Sequence, residues 1–193
     1  MKKIVLLLLL TTIFACKNEV KTPVTEELTQ EEPIENETTE DDEKNYEDLP
    51  ILIGKHDFSV IQNPPYTEWF LENYRYTPQP EIIAALKKPL EDVTITVFMG
   101  TWCSDSRQHV PALMNILDAA GYNSQNINLI AVSEAKDTPE KLEEGQDIQF
   151  VPTIILSRNG EEIGRIIEFP MKTLEDDLLD IATGKEYKHI YQE

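Results

Sequence analysis

The chain has 193 residues, 40% hydrophobic, 27% charged and 8% aromatic, which allows one ordinary globular domain with appendages and is too little for two full ones. Its 36 Asp and Glu against 17 Lys and Arg give a formal charge of −19, which disfavours nucleic acid as a partner because phosphate neutralisation needs clustered cations. Two cysteines are too few for a disulfide framework, and His56, His109 and His189 match no zinc spacing, so no metal or other cofactor is expected and packing must hold the fold.

Lys2 and Lys3 precede the apolar run Ile4 to Leu10, followed by Thr11, Thr12 and Ile13-Phe14-Ala15, the charged, apolar and small-residue regions of a secretory signal over residues 1–15. The twelve residues from Ile4 to Ala15 are too short to cross a hydrocarbon core of ~30 Å as a helix. Cys16 directly after this run resembles the end of a bacterial lipoprotein signal. That resemblance implies cleavage ahead of Cys16, lipid on its sulfur, and anchoring to a bacterial membrane outside the cytoplasm, in the periplasm or at the outer membrane. Ile13 and Ala15 fit the pattern, whereas Phe14 is bulkier than usual. A plain cleaved signal with an unused Cys16 is the alternative.

Residues 16–48 read as a disordered acidic tether. Residues 17–48 hold 13 acids, three lysines, Pro23, Pro33 and a single aromatic, Tyr46, too little apolar surface to offset the entropy of ordering. A flexible tether of this length has an end-to-end distance of roughly 30 Å, lengthened by repulsion among its carboxylates.

Residues 49–193 are the expected folded domain. Ile51-Leu52-Ile53 and Phe58-Ser59-Val60-Ile61 are short strand-like runs. Thr67 is placed to cap a helix reaching Tyr76, with Trp69, Phe70 and Tyr74 on one side and Pro78 and Pro80 closing it. Glu81 to Lys88 carries Ile82, Ile83 and Leu86 at helical spacing. Residues 66–88 thus form an N-terminal helical addition to a core at 93–183.

Within that core, Val93 to Met99 is β-branched and reads as a buried strand. Val110, Leu113, Met114 and Leu117 then repeat at i, i+3, i+4 and i+7, which predicts a helix over Ser104 to Ala120 kinked by Pro111. Ile127 to Val132 is a second strand, parallel to the first across the helix. Polar residues 133–146 leave room for a short helix around Pro139 to Glu143. Strands 153–157 and 162–167 flank Asn159-Gly160, the preferred pair for a tight antiparallel turn. Thr173 caps a last helix with Leu174, Leu178 and Ile181 inward, Glu175, Asp176 and Asp177 near its positive end, and Gly184 after it.

The order β-α-β-β-β-α, with Trp102-Cys103 between the first strand and its helix, resembles the thioredoxin family. Pro111, eight residues after Cys103, stands where that family kinks its active-site helix; Val151-Pro152-Thr153 stands where it has a cis-proline loop, and Asn159-Gly160 where it has a hairpin. The resemblance implies an α/β fold, a thioredoxin-like three-layer sandwich with a mixed central sheet. It also implies that a cis Pro152 sets the Val151 backbone to pair with an extended substrate segment beside Cys103.

A thiol at a strand-to-helix junction is activated by unpaired helix N–H groups and the helix dipole, which stabilise thiolate, so Cys103 is the candidate nucleophile. Trp102, Ser104, Asp105 and Arg107 are its candidate supports. Arg107, about one turn on, offers positive charge to the sulfur or to the carboxylate of a small thiol such as glutathione, whereas Asp105 competes for the same N–H groups. The motif is WCSDS, with Ser106 where a dithiol family member has its second cysteine, and Val97 six residues before Cys103 where the family has a buried carboxylate. A lone Cys103 forms a mixed disulfide that an external thiol must break, while the Ser106 hydroxyl offers the thiolate a hydrogen bond.

Two readings follow. In the first, a membrane-tethered extracytoplasmic protein exchanges its one thiol with protein disulfides or small thiols, as an isomerase or a reductase of mixed disulfides. In the second, the same fold is a binding module of the cell envelope without turnover.

Overall fold

The seven residues Val93–Met99 form strand β2 at the centre of the sheet, where β-branched side chains lose little by extension and pack on both faces. The computed structural model describes residues 45–192; the expected signal peptide 1–15, Cys16 and the tether as far as residue 44 lie outside the described residues. Around β2 the chain builds β1 (Gly54–His56), α1 (Ser59–Gln62), α2 (Thr67–Tyr74), α3 (Pro80–Leu86), α4 (Ser104–Ala120), β3 (Ile127–Ala131), β4 (Thr153–Arg158), β5 (Glu161–Ile167) and α5 (Leu174–Ala182). Strand order is β1-β3-β2-β4-β5, with β2 and β3 parallel and every other pair antiparallel, a mixed sheet in a thioredoxin-like α/β fold.

The register follows from two local devices. Helix α4 returns the chain so that Ile95 lies opposite Ile127 and Met99 opposite Ala131. Asn159 (φ 54°) and Gly160 (φ 84°) adopt the left-handed turn that sets Arg158 against Glu161.

Alternation along β2 divides the interior. Val93, Ile95, Val97 and Met99 join Leu129, Ile154, Leu156 and the buried sides of α1, α2, α3, α4 and α5 in one cluster. Phe98 faces the other way, with Ile130, Val132 and Ile155, and is covered by Val151, Leu142 and Ile148. Helices form the layer on the first face; irregular chain between β3 and β4 covers the second.

Several elements differ from the sequence expectation for identifiable reasons. Phe58 to Ile61 is the start of a helical turn, α1, fixed by the Asp57 carboxylate accepting from Ser59 N–H (2.8 Å) and by Asn63 Nδ2 donating to Ser59 C=O (2.7 Å). Ile51 to Ile53 precedes the strand, because Leu52 N–H donates to Thr101 Oγ1 (3.1 Å) and is not available to a strand partner. Thr67 is the first residue of α2, not its cap, and its hydroxyl donates to Gln62 C=O (3.2 Å). Pro80 opens α3 in the first helical turn, where a missing N–H is harmless. Residues 139–143 form turns instead of a helix: Lys141 (φ 57°) and Gly145 (φ 77°) break the helical path, and Glu143 closes the loop on Thr138 N–H (3.0 Å) and Oγ1 (2.7 Å).

Helix α5 begins at Thr173, whose hydroxyl accepts from Asp176 N–H (3.2 Å). Of the three acids in its first turn, Glu175 and Asp177 are fully buried. Glu175 accepts from Tyr76 OH (2.7 Å) and Gln79 N–H (3.0 Å), and Asp177 from Met171 N–H (2.6 Å) and Tyr187 OH (2.8 Å). Both carboxylates tie α5 to other segments. Residues 45–48, the expected end of the tether, belong to the body: Tyr46 packs on the helical cluster and its hydroxyl donates to Glu72 (2.9 Å).

Candidate active site around Cys103

Strand β2 delivers the chain to Gly100, where the absence of a side chain is required: a Cβ there would lie 2.4 Å from the Trp102 ring. Trp102 folds back over this point and donates its indole N–H to Val132 C=O (3.0 Å), which locks it across the end of β3. Its ring also receives the Lys136 ammonium at 5.8 Å.

Cys103 is the N-cap of α4, with extended backbone (φ −86°, ψ 125°). Its N–H donates to Gly100 C=O (3.1 Å) and its C=O accepts from Arg107 N–H (3.1 Å). The thiol is half-buried and donates to Val151 C=O at 3.1 Å. Val151-Pro152 is a cis peptide, as the resemblance implied, and Thr153 braces that loop by donating its hydroxyl to Phe150 C=O (2.7 Å). The Val151 N–H meets no acceptor among the described residues. Residues 48 positions apart are therefore joined at one point, and Cys103, Val151, Pro152 and Thr153 are brought together.

The other candidate residues divide. Ser106 is fully buried, and its hydroxyl accepts from Gly100 N–H (3.2 Å); the thiol's own hydrogen bond goes to Val151 instead. Arg107 directs one guanidinium nitrogen, Nη1, at two carbonyls, Thr101 and Trp102, each at 3.1 Å, and its guanidinium lies 5.6 Å from the Tyr46 ring centre. It thus holds the loop that carries Cys103. Ser104 is exposed and Asp105 half-buried in the first turn of α4. One turn further, burial pushes the His109 imidazole below its usual range, with the Asp105 carboxylate opposing the shift. Val97 is fully buried among aliphatic groups, so no carboxylate lies beneath the site at that position.

Two supports were not read from sequence. Thr101 is buried, receives Leu52 N–H and donates to Pro50 C=O (3.4 Å), fastening residues 50–52 to the site loop. Tyr46 lies against Arg107; its only signal in the sequence is that it is the sole aromatic in an acidic stretch. Among the described residues no group of three or more His, Cys, Asp or Glu is placed to hold a metal ion, and no helix is long and apolar enough to cross a membrane.

This geometry can be set beside known proteins. Residues 67–180 match the family model described as Thioredoxin, and the match begins with α2. The chain is 32% identical over 77 residues to thioredoxin AMT13 of Alternaria alternata, covering 40% of this chain and 60% of that one. It is 27% identical over 90 residues to a thioredoxin of Listeria monocytogenes, covering 47% of this chain and 82% of that one. Among solved structures, an HIV epitope scaffold superimposes with a TM-score of 0.50 at 15% identity, over 69% of this chain and 95% of the other, a likeness that bears on fold alone.

Proposed function

This chain belongs to the thioredoxin family, and on that premise we propose that it performs monothiol thiol–disulfide exchange through Cys103, held outside the cytoplasm by a lipid on Cys16. The observation that carries the reading is the half-buried thiol at the start of α4, bound to the carbonyl of a cis-proline loop, with a buried hydroxyl in the place of a second thiol.

The chemistry follows from one sulfur. Once Cys103 gives up its proton, the thiolate attacks one sulfur of a client disulfide. A bond forms between Cys103 Sγ and that sulfur, the client's own S–S bond breaks, and its other sulfur leaves as thiolate. Ser106 cannot expel the bound client, because a hydroxyl forms no disulfide. Release requires a second thiolate, either from a small thiol such as glutathione or from elsewhere in the client. In the first route one glutathione thiolate attacks Cys103 Sγ and the client sulfur leaves as thiolate. A second glutathione then attacks the glutathione sulfur and frees Cys103 with formation of glutathione disulfide, so the client ends reduced. In the second, a client thiolate attacks the client sulfur bound to Cys103, Cys103 leaves as thiolate, and the client disulfide is re-formed in a new pairing. The unsatisfied Val151 N–H suits pairing with an extended client backbone next to the sulfur.

A small aromatic disulfide tests the core of this reading. In a Cys16→Ser background each chain should release one equivalent of aromatic thiol and retain the other as a mixed disulfide, while Cys103→Ser should release none. Failure of Cys103 to form that adduct would overturn the proposal. The anchor is tested separately by cell fractionation: Cys16→Ser should move the protein from the membrane to the soluble fraction, and an unchanged distribution would remove the lipid from the account.

A further inference from the structure

After α5 the chain turns back toward the reactive loop. Lys185 N–H donates to Asp180 C=O (2.9 Å), and residues 187–192 then run past Arg165 and Ile167 of the outer strand β5 to Phe150. The two ends of this segment are held differently. Tyr187 is half-buried against the helical cluster and donates its hydroxyl to the buried Asp177 carboxylate (2.8 Å). Tyr191 is 45% exposed; its ring stacks on Phe150, with centroids 4.2 Å apart and planes within 6°, and its hydroxyl donates to Glu168. Between them His189 turns the chain, its C=O accepting from Gln192 N–H (2.9 Å) and its Nδ1 from Tyr191 N–H (3.3 Å).

Beneath the distal half lies a cavity of about 190 Å³ bordered by Asp147, Arg165, Ile167 and His189, so this half lacks close packing below. A terminal segment with few buried contacts opens at low free energy, whereas Tyr187 stays anchored. The family match ends at residue 180, so the segment lies outside the matched region.

The seat of Tyr191 is beside the sulfur. Phe150 immediately precedes Val151, whose carbonyl holds the Cys103 thiol, and Glu168 N–H donates to Pro152 C=O (2.7 Å). The Glu168 carboxylate raises the Tyr191 phenol above its usual range and the Asp105 carboxylate, two residues after Cys103, adds to the rise; the phenol is thus within electrostatic reach of the first turn of α4. A client backbone paired to the Val151 N–H must continue past Phe150, where Tyr191 lies. A small disulfide has no chain to pass, and Cys103 is half-buried, not sealed, with Tyr191 in place.

We propose that residues 187–192 form a strap that selects by size: seated, it leaves Cys103 open to small disulfides and shuts out polypeptide ones, which enter when residues 188–192 lift about Tyr187. This deepens the thiol-exchange reading, but its test uses alkylation, which needs a thiol and no disulfide, so the two fail separately. The probes are iodoacetamide and an extended peptide carrying the same iodoacetyl group. The peptide is uncharged, because Asp105, Asp147 and Glu168 and also Arg165, Lys172, Lys188 and His189 lie along the strap and its borders.

Unseating a strap that is closed about 90% of the time raises access about tenfold. In the Cys16→Ser full chain, Tyr191→Ser should therefore raise the rate of Cys103 alkylation by the peptide on the order of tenfold and leave the iodoacetamide rate unchanged. His189→Ala, which removes the acceptor of Tyr191 N–H, should raise the peptide rate several-fold. By NMR, the Tyr191 ring signals should move to free tyrosine positions in the peptide adduct and stay in place in the iodoacetamide adduct. An unchanged or lower peptide rate in both variants, an equal rise with iodoacetamide, a native Cys103 closed to iodoacetamide, or a Tyr191 ring still stacked in the peptide adduct would overturn the strap. If Cys103 is alkylated as expected but releases no aromatic thiol from the small disulfide, exchange is lost and the strap stands.

Discussion

One face of the sheet is closed by five helices whose buried side chains merge with Val93, Ile95, Val97 and Met99, while the other is covered by turns carrying Leu142, Ile148 and Val151. Trp102 and Cys103 pack against the second, thinner cover. The division separates two duties. Burial on the helical face holds the fold, and the Cys103 sulfur sits where the chain is irregular, less committed to the core and nearer to solvent.

The largest expected difference is in stability. Leu113 is fully buried in α4, so Leu113→Ala should cost about 2–5 kcal/mol in denaturant unfolding, whereas half-buried Ile148→Ala on the turn side should cost about 1 kcal/mol. Equal costs would erase the distinction between the faces. Next in size is Arg107→Ala, which removes both carbonyl contacts and the contact with Tyr46; about 1–2 kcal/mol should be lost, and the rate with a small disulfide should fall because the loop bearing Cys103 loosens. Arg107→Lys should not restore that rate, since one compact ammonium cannot both donate to the two carbonyls and lay a planar cation against the Tyr46 ring as the guanidinium does. Unchanged kinetics in Arg107→Ala would reduce the residue to a surface cation.

The smallest effect sharpens the same contrast through pH. His109 has its folded-state value lowered by burial, so as pH falls through 6.5 the unfolded chain takes up a proton that the folded chain resists. Stability should therefore decline below pH 6.5 and level off once the folded imidazole is protonated. His189, also lowered by burial, adds to the slope. His109→Gln should flatten the dependence of the unfolding midpoint between pH 7 and the mildly acidic range, and a slope unaltered by it would remove His109 from the account.

How far the sequence was legible follows this division. Val93–Met99, Ser104–Ala120 and the hairpin about Asn159-Gly160 are set by local periodicity and turn chemistry, and the structure places them where those signals predict. Residues 133–151 have neither period, and their turns depend on side-chain bonds such as Glu143 to Thr138. The buried state of Glu175 and Asp177 was illegible because their partners Tyr76 and Tyr187 come from other segments. At the site, the meeting of Cys103 with the cis-proline loop followed from resemblance. The targets of Ser106 and Arg107 did not, since they depend on how the backbone groups of Gly100, Thr101 and Trp102 point once the loop is folded.

The most direct test of a one-sulfur mechanism is to load a peptide onto Cys103 as a mixed disulfide, in chains with Cys16→Ser, and to measure its release with no thiol added. The native chain should keep the peptide and release it only in proportion to added glutathione, whereas Ser106→Cys should release it unaided by closing a disulfide with Cys103. Unaided release from the native chain would contradict the account.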